Sequence, residues 1–325
     1  MSSVVQLLRQ EQRDLYVSAS ALRTLESCPR EHWYKYIEGR PAQDVPGRLI
    51  LGSAMHKALA LFYRCLRDGE AEPTLDTLVS VAGASIGQAV ASKPPILFGD
   101  GEDPASLVTE ASRVLGVFLE QGYRPDRIVG VELPFSLPLV HPVTGEVLGY
   151  EEQLVGAMDL VVEEAGTIVV VDHKVVGRAD KTKAERADLQ MSLYAWAARQ
   201  LFDADDVGLR YHNIVRTKTA KVQLQDIARV ANDEVEGVEA AASGLAMIHA
   251  AVGRQDGKRL MGRRRSWRCK EYGLREPSRP ARRPQRSPIV SPPPTERKCI
   301  AGTGRRRRMS WPRLPCLRPP HYPRR

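Results

Sequence analysis

Cysteine is scarce: five in 325 residues, at Cys28, Cys65, Cys269, Cys299 and Cys316. An odd, scattered set argues against a disulfide framework. An apolar leader is also missing. Residues 1–14 are polar, without the hydrophobic stretch of a signal peptide. No apolar run approaches the ~20 residues needed to cross a bilayer. The expectation is a soluble cytoplasmic protein with no membrane partner. No GxxxxGK[ST] loop occurs, which excludes a self-contained P-loop motor. What is there suffices for a globular core, with 42% hydrophobic residues. The length suits two domains, or one large domain with appendages.

The net charge of +9 is unevenly spread. Residues 254–325 hold 20 Arg and 3 Lys against 4 acids, a net of +19, leaving the first 253 residues at −10. The basic balance therefore belongs to the tail, and no binding claim for the folded part can rest on it. The tail also holds 12 of the 23 prolines and no hydrophobic period. Two readings stand: a disordered basic arm, or translation out of frame of a GC-rich gene.

Upstream, the chain divides by periodicity. Residues 1–66 read as an N-terminal helical part, with Ser18 and Ser20 as candidate N-caps and a strong helix over 52–65. Residues 67–121 read as a helical insertion. From 122 to 252 the pattern becomes mixed: strands at 128–139, 153–163 and 167–175, a helix over 183–202, short strands at 209–214 and 221–224, and a helix over 227–250. Residues 253–325 form the tail.

Chemistry concentrates on one predicted hairpin. With Ala165-Gly166 as its turn, Asp159 falls opposite Asp172, at a cross-strand separation of roughly 4.5–5.5 Å. Two carboxylates that close repel unless a cation sits between them. Alternation puts Lys174 on the face of Asp172 and turns His173 the other way. The run 168–171 is apolar, as in a buried central strand, and ends abruptly in Asp-His-Lys. On residues alone, Asp172 and Lys174 also fit a salt-bridged strand end, and Asp159 a surface acid near a loop. Gln190 and Tyr194 share a helix face by their i, i+4 spacing. His56 fits either a ligand or a satisfied core histidine, and Glu132 either a site acid or an exposed strand start.

In order, Ser18-Ala-Ser20 through Cys28-Pro29, Gly52-Ser-Ala-Met-His56, Gly156-Ala-Met-Asp159, Val171-Asp-His-Lys174 and Gln190-Met-Ser-Leu-Tyr194 resemble the PD-(D/E)XK nuclease superfamily, in its RecB-like branch, which includes CRISPR-associated nucleases. The resemblance spans roughly residues 16–250. It implies an α/β restriction-endonuclease-like core, a mixed sheet flanked by helices. It implies His56, Asp159 and Asp172 as metal ligands with the backbone carbonyl of His173, Glu132 as a further acid, and Lys174 orienting the attacking water. Gln190 and Tyr194 would complete the site near the DNA backbone. Mg²⁺ or Mn²⁺ would neutralise the phosphodiester and acidify a bound water. The implied activity is a DNA nuclease, in the first place an exonuclease, of repair, recombination or phage replication. The alternative is an inactive DNA-binding or helicase-associated subunit of the same fold. A tail-driven nucleic-acid binder is a third reading. Arg178, Lys181, Lys183, Arg216 and Lys218 are candidate phosphate contacts. A helicase or single-strand-binding protein is a candidate partner.

One departure stands out. Many relatives bind an iron–sulfur cluster through one cysteine before the core and Cys-x2-Cys-x5-Cys after it. Cys28 and Cys269 match the first and second places, but Tyr272 and Ser278 occupy the remaining two. An intact cluster is therefore not expected, and residues 16–37 would be held by packing alone.

Overall fold

The computed structural model describes residues 16–92, 95–148, 153–177, 187–228 and 232–253. A six-stranded mixed sheet forms its centre. Strand β4 (Ile128–Pro138) pairs antiparallel with β5 (Gln153–Glu164), and β5 with β6 (Thr167–Val176). The sheet continues through β7 (Val207–Val215), parallel to β6, to β8 (Lys221–Asp226), antiparallel to β7. The two-residue β1 (Tyr16–Val17) runs parallel to the start of β5. A separate two-stranded piece joins β2 (Val45–Pro46) to β3 (Ile96–Leu97).

Helices cover both faces. On one lie α1 (Ala19–Ser27), α6 (Leu189–Phe202) and α7 (Asp233–Gly253), around Met158, Val161, Val170 and Trp196. On the other, α3 (Gly47–Arg67), α4 (Leu75–Ala91) and α5 (Pro104–Gln121) enclose Leu160, Val162, Val171 and Ile214. The short α2 (Pro29–His32) and a π-turn at Trp33–Ile37 lie between α1 and β2. Val170 and Val171 enter opposite cores and are both fully buried, so the unbroken apolar run is what a strand covered on both faces requires. By length and composition α3 and α7 could cross a membrane. In this fold α3 instead buries Met55, Leu59 and Phe62 completely.

Several sequence-derived boundaries shift. The helix expected from 183 begins at Leu189, because the Asp188 side chain caps it by accepting from the Met191 N–H at 3.0 Å. Of its expected residues, 187 and 188 precede the helix, and 183–186 lie outside the described residues. The helix expected from 227 begins at Asp233, where Asp233, Glu234 and Glu236 put negative charge at its positive end. Ser18 caps α1, whereas Ser20 lies inside it. Residues 16–37 are held by more than packing. β1 joins the sheet, and Arg23 Nη2 lies 2.5 Å from Asp188 Oδ2.

Candidate active site

The hairpin between β5 and β6 turns at Ala165 (φ 48°) and Gly166 (φ 81°). Two positive φ values in a two-residue loop define a turn matched to the twist of the strands. The expected register holds from Glu164↔Thr167 to Leu160↔Val171. There the ladder stops, one pair short of Asp159 and Asp172. β6 stays paired with β7 from Ile168 to Val176, so it parts from β5 at this point. The site sits at the resulting fork, where backbone groups that lose their ladder partners need others. Asp159 Oδ2 accepts from the His173 N–H at 2.8 Å, and the Tyr194 hydroxyl donates to the Ala157 carbonyl at 2.8 Å.

The fork separates the roles of the two acids. Asp159 Oδ1 lies 3.4 Å from His56 Nδ1. One ligand atom each of His56, Glu132 and Asp159 falls within 4.8 Å of the others, a set that could hold a metal ion. Asp172 is not in that set. Its Oδ2 lies 2.5 Å from Lys174 Nζ, and its Oδ1 accepts from Gln190 Nε2 at 3.0 Å. Gln190 Nε2 also lies 3.0 Å from the Tyr194 hydroxyl, so the i, i+4 pair acts as a brace reaching from α6 to the fork. Asp172 is buried with 2% of its side chain exposed, whereas Lys174 keeps 30%. The lysine side chain therefore keeps contact with solvent and the acid does not.

Glu132 has a larger part than its sequence position suggested. It lies in the middle of β4 rather than at an exposed start, with φ +48°. A left-handed backbone at a glutamate costs roughly 1–3 kcal/mol and persists only where its surroundings enforce it. Here it reverses the strand. Val131 faces the α3–α5 core, yet Leu133 faces the opposite one. β5 reverses likewise between Met158 and Leu160, at Asp159. The double reversal brings two carboxylates together under His56.

Electrostatics follow from this crowding. Burial would lower the pKa of His56, but its hydrogen bond to Asp159 and the charges of Asp159, Asp172 and Glu132 outweigh it, so the imidazole stays protonated above its ordinary range. Burial would raise Asp159, yet His56 and the His173 N–H hold it well below the usual carboxylate range. Glu132 is raised by burial and then by Asp159. Burial raises Asp172 against the pull of Lys174, and Asp159 raises it further.

Among the candidate phosphate contacts, Lys218 is exposed in the turn between β7 and β8, and Arg216 Nη1 bonds Glu110 Oε1 at 3.1 Å. Arg178, Lys181 and Lys183 lie outside the described residues, as do Cys269, Tyr272 and Ser278. Cys28 is completely buried between α1 and α2. The sequence reading passed over Asp188 and Arg23. A helix-capping aspartate two residues before Gln190 was a usable signal; Arg23 carried none.

Gly156 belongs to the same assembly. A Cβ there would meet Phe135 Cζ at 2.5 Å. Phe135 in turn stands edge-on to Tyr194, with centroids 6.0 Å apart. Gly156→Val should cost about 1–3 kcal/mol by overpacking, read from urea denaturation. An unchanged midpoint would show that Phe135 yields freely.

No curated protein matches the chain. A solved structure from Eubacterium rectale, provisionally described as an exonuclease, matches at a TM-score of 0.48 and 13% identity, covering 76% of this chain and 84% of that one. The family model of the PD-(D/E)XK nuclease superfamily matches residues 16–270, continuing beyond the composition change at 253. With most of the chain inside that match, and with a mixed sheet carrying the motif residues to one fork, the chain belongs to the PD-(D/E)XK nuclease superfamily.

Proposed function

We propose that this chain is a divalent-metal-dependent deoxyribonuclease that hydrolyses phosphodiester bonds, working from DNA ends in repair, recombination or phage replication. The order of its motifs favours the RecB-like branch. The observation that carries the reading is the convergence of His56, Glu132 and Asp159 beside the Asp172–Lys174 pair. Two carboxylates and one imidazole suit Mg²⁺, and the nitrogen donor favours Mn²⁺ somewhat. The donor set fits such an ion, because the crowded acids have only His56 to offset them within the group. When bound, the cation supplies charge neutralisation at the phosphate and an acidified water.

The chain's own residues do the rest. Lys174, anchored on a buried acid and open to solvent, orients the attacking water and meets the charge that develops on the phosphate. Gln190 fixes Asp172, and Tyr194 fixes Gln190, so the ammonium has one place to be. Arg216 and Lys218, with Arg178, Lys181 and Lys183, are proposed to track the backbone. A helicase or a single-strand-binding protein is proposed to supply open DNA.

The test is digestion of 5′- and 3′-labelled linear DNA and of closed circular DNA by the full chain, with Mg²⁺, Mn²⁺ or EDTA. Linear DNA should be degraded with metal and spared in EDTA, while circles survive. Intact linear DNA with both metals would refute the nuclease reading. Cut circles would refute end dependence alone.

A further inference from the structure

His173 and His212 are two buried polar groups whose side chains the proposed chemistry leaves unused. They sit side by side on β6 and β7, in register, with Nδ1 atoms 3.0 Å apart. Both are almost wholly buried. Tyr63 stacks on His173 at 5.2 Å, and Phe118, at 5.9 Å, flanks His212. Neither Nε2 finds a hydrogen-bond partner among the described residues.

A hydrogen bond between two Nδ1 atoms requires opposite tautomers. One ring then buries a bare Nε2 lone pair and the other a bare Nε2–H. Aliphatic side chains would fill the same space without that penalty. The pair therefore needs a reason other than stability. The backbone supplies one: the His173 N–H holds Asp159, and the residues on either side of it are Asp172 and Lys174. The fork has no β5–β6 ladder beyond Leu160↔Val171, so the peptide at the branch is held from one side, by the β6–β7 ladder on which the two rings sit in register.

We propose that His212 is a positioning residue for the nuclease centre. Through its one side-chain hydrogen bond among the described residues it locks the His173 ring, and so steadies the peptide that orients Asp159 and spaces Asp172 from Lys174. This rests on the nuclease reading above.

The test compares the full-length chain with His212→Leu, His212→Asn and His212→Gln. Asparagine places an amide nitrogen where imidazole has Nδ1; glutamine carries it further, towards Nε2. His212→Leu should keep or raise Tm, lose ~10- to 100-fold in kcat, as small misplacements do, and leave KM for DNA within about twofold. The rise in Tm on adding Mn²⁺ should shrink in the same variant. His212→Asn should restore most of kcat, and His212→Gln should not. Wild-type kcat in a folded His212→Leu, or equal kcat in the Asn and Gln variants, would overturn the proposal. Should His212→Leu fail to fold, the Asn–Gln comparison decides alone. A wild-type chain that cuts no DNA at all overturns the nuclease reading first, and this inference with it.

Discussion

Lys174→Ala should lose cleavage by about 10²–10⁴-fold, the range associated with removing a positioned proton-handling group. The loss follows from where the ammonium is. It is the exposed half of a pair whose acid is buried, and no other cation is within bonding distance of Asp172 among the described residues. Asp172→Asn should lose activity by a similar factor through the opposite route. Its amide can still meet Gln190, but the unanchored lysine is free to wander. The two variants should differ in stability. Lys174→Ala strands a buried carboxylate, for which removal of one partner costs about 3–5 kcal/mol, reduced here because Lys174 is partly exposed. The variant can escape that cost by protonation. Asp172 already titrates above its ordinary value, from burial first and Asp159 next, and loses its main opposing influence with the lysine. A carboxylate with a raised folded pKa is a liability above that pKa, and the liability fades as pH falls through it. The stability deficit of Lys174→Ala should therefore be largest at pH 8–9 and shrink towards pH 5. Asp172→Asn, which carries no buried charge, should match or exceed wild-type Tm throughout. Urea denaturation across that pH range, run beside labelled-DNA digestion, checks both. Wild-type cutting by Lys174→Ala would remove the lysine from the chemistry.

How much of this was written in the sequence varies by residue. The hairpin was legible because its determinants are local: Ala165-Gly166 fixes the turn, and the turn fixes the register as far as Leu160↔Val171. The fork was not, because it depends on β6 remaining with β7, a pairing across α6 that no neighbouring residue announces. The reversal at Glu132 was equally hidden. Apolar residues stand at 129, 131, 133 and 135, an unbroken alternation. A sheet buried on both faces accepts an apolar side chain on either side, so the pattern could not report that Val131 and Leu133 point into different cores. Glu132 could therefore be read either as a site acid or as an exposed strand start, and the left-handed backbone that turns it towards Asp159 was not legible. The helix carrying Gln190 and Tyr194 was found by its apolar period, but the period extended too far upstream, past the aspartate that caps it.

Adding Mg²⁺ or Mn²⁺ to the metal-free chain should raise Tm by roughly 5–10 °C at a hundredfold excess over Kd, since that excess corresponds to about 2.7 kcal/mol. The rise should depend on pH in a direction the site dictates. Without metal, His56 has its pKa raised in the folded chain, burial being outweighed by Asp159 and the neighbouring acids. Its pairing with Asp159 thus stabilises fully below about pH 6.5, the unfolded value, and is lost as pH rises through the folded one. Glu132 has a raised pKa too, so acid also protonates a ligand. Protons compete with metal at His56 and Glu132, while Asp159 stays ionised. The metal-induced rise in Tm should be small near pH 5.5 and grow as pH rises through the folded-state value of His56, where the metal-free chain loses its own substitute for the ion. Glu132→Gln sharpens the test. It removes one ligand and one of two crowded charges, so the metal-free chain should hold or gain stability while its response to metal falls. A response equal to wild type in Glu132→Gln, or one that ignores pH, would mean that the ion binds elsewhere and that the left-handed glutamate in β4 serves some other purpose.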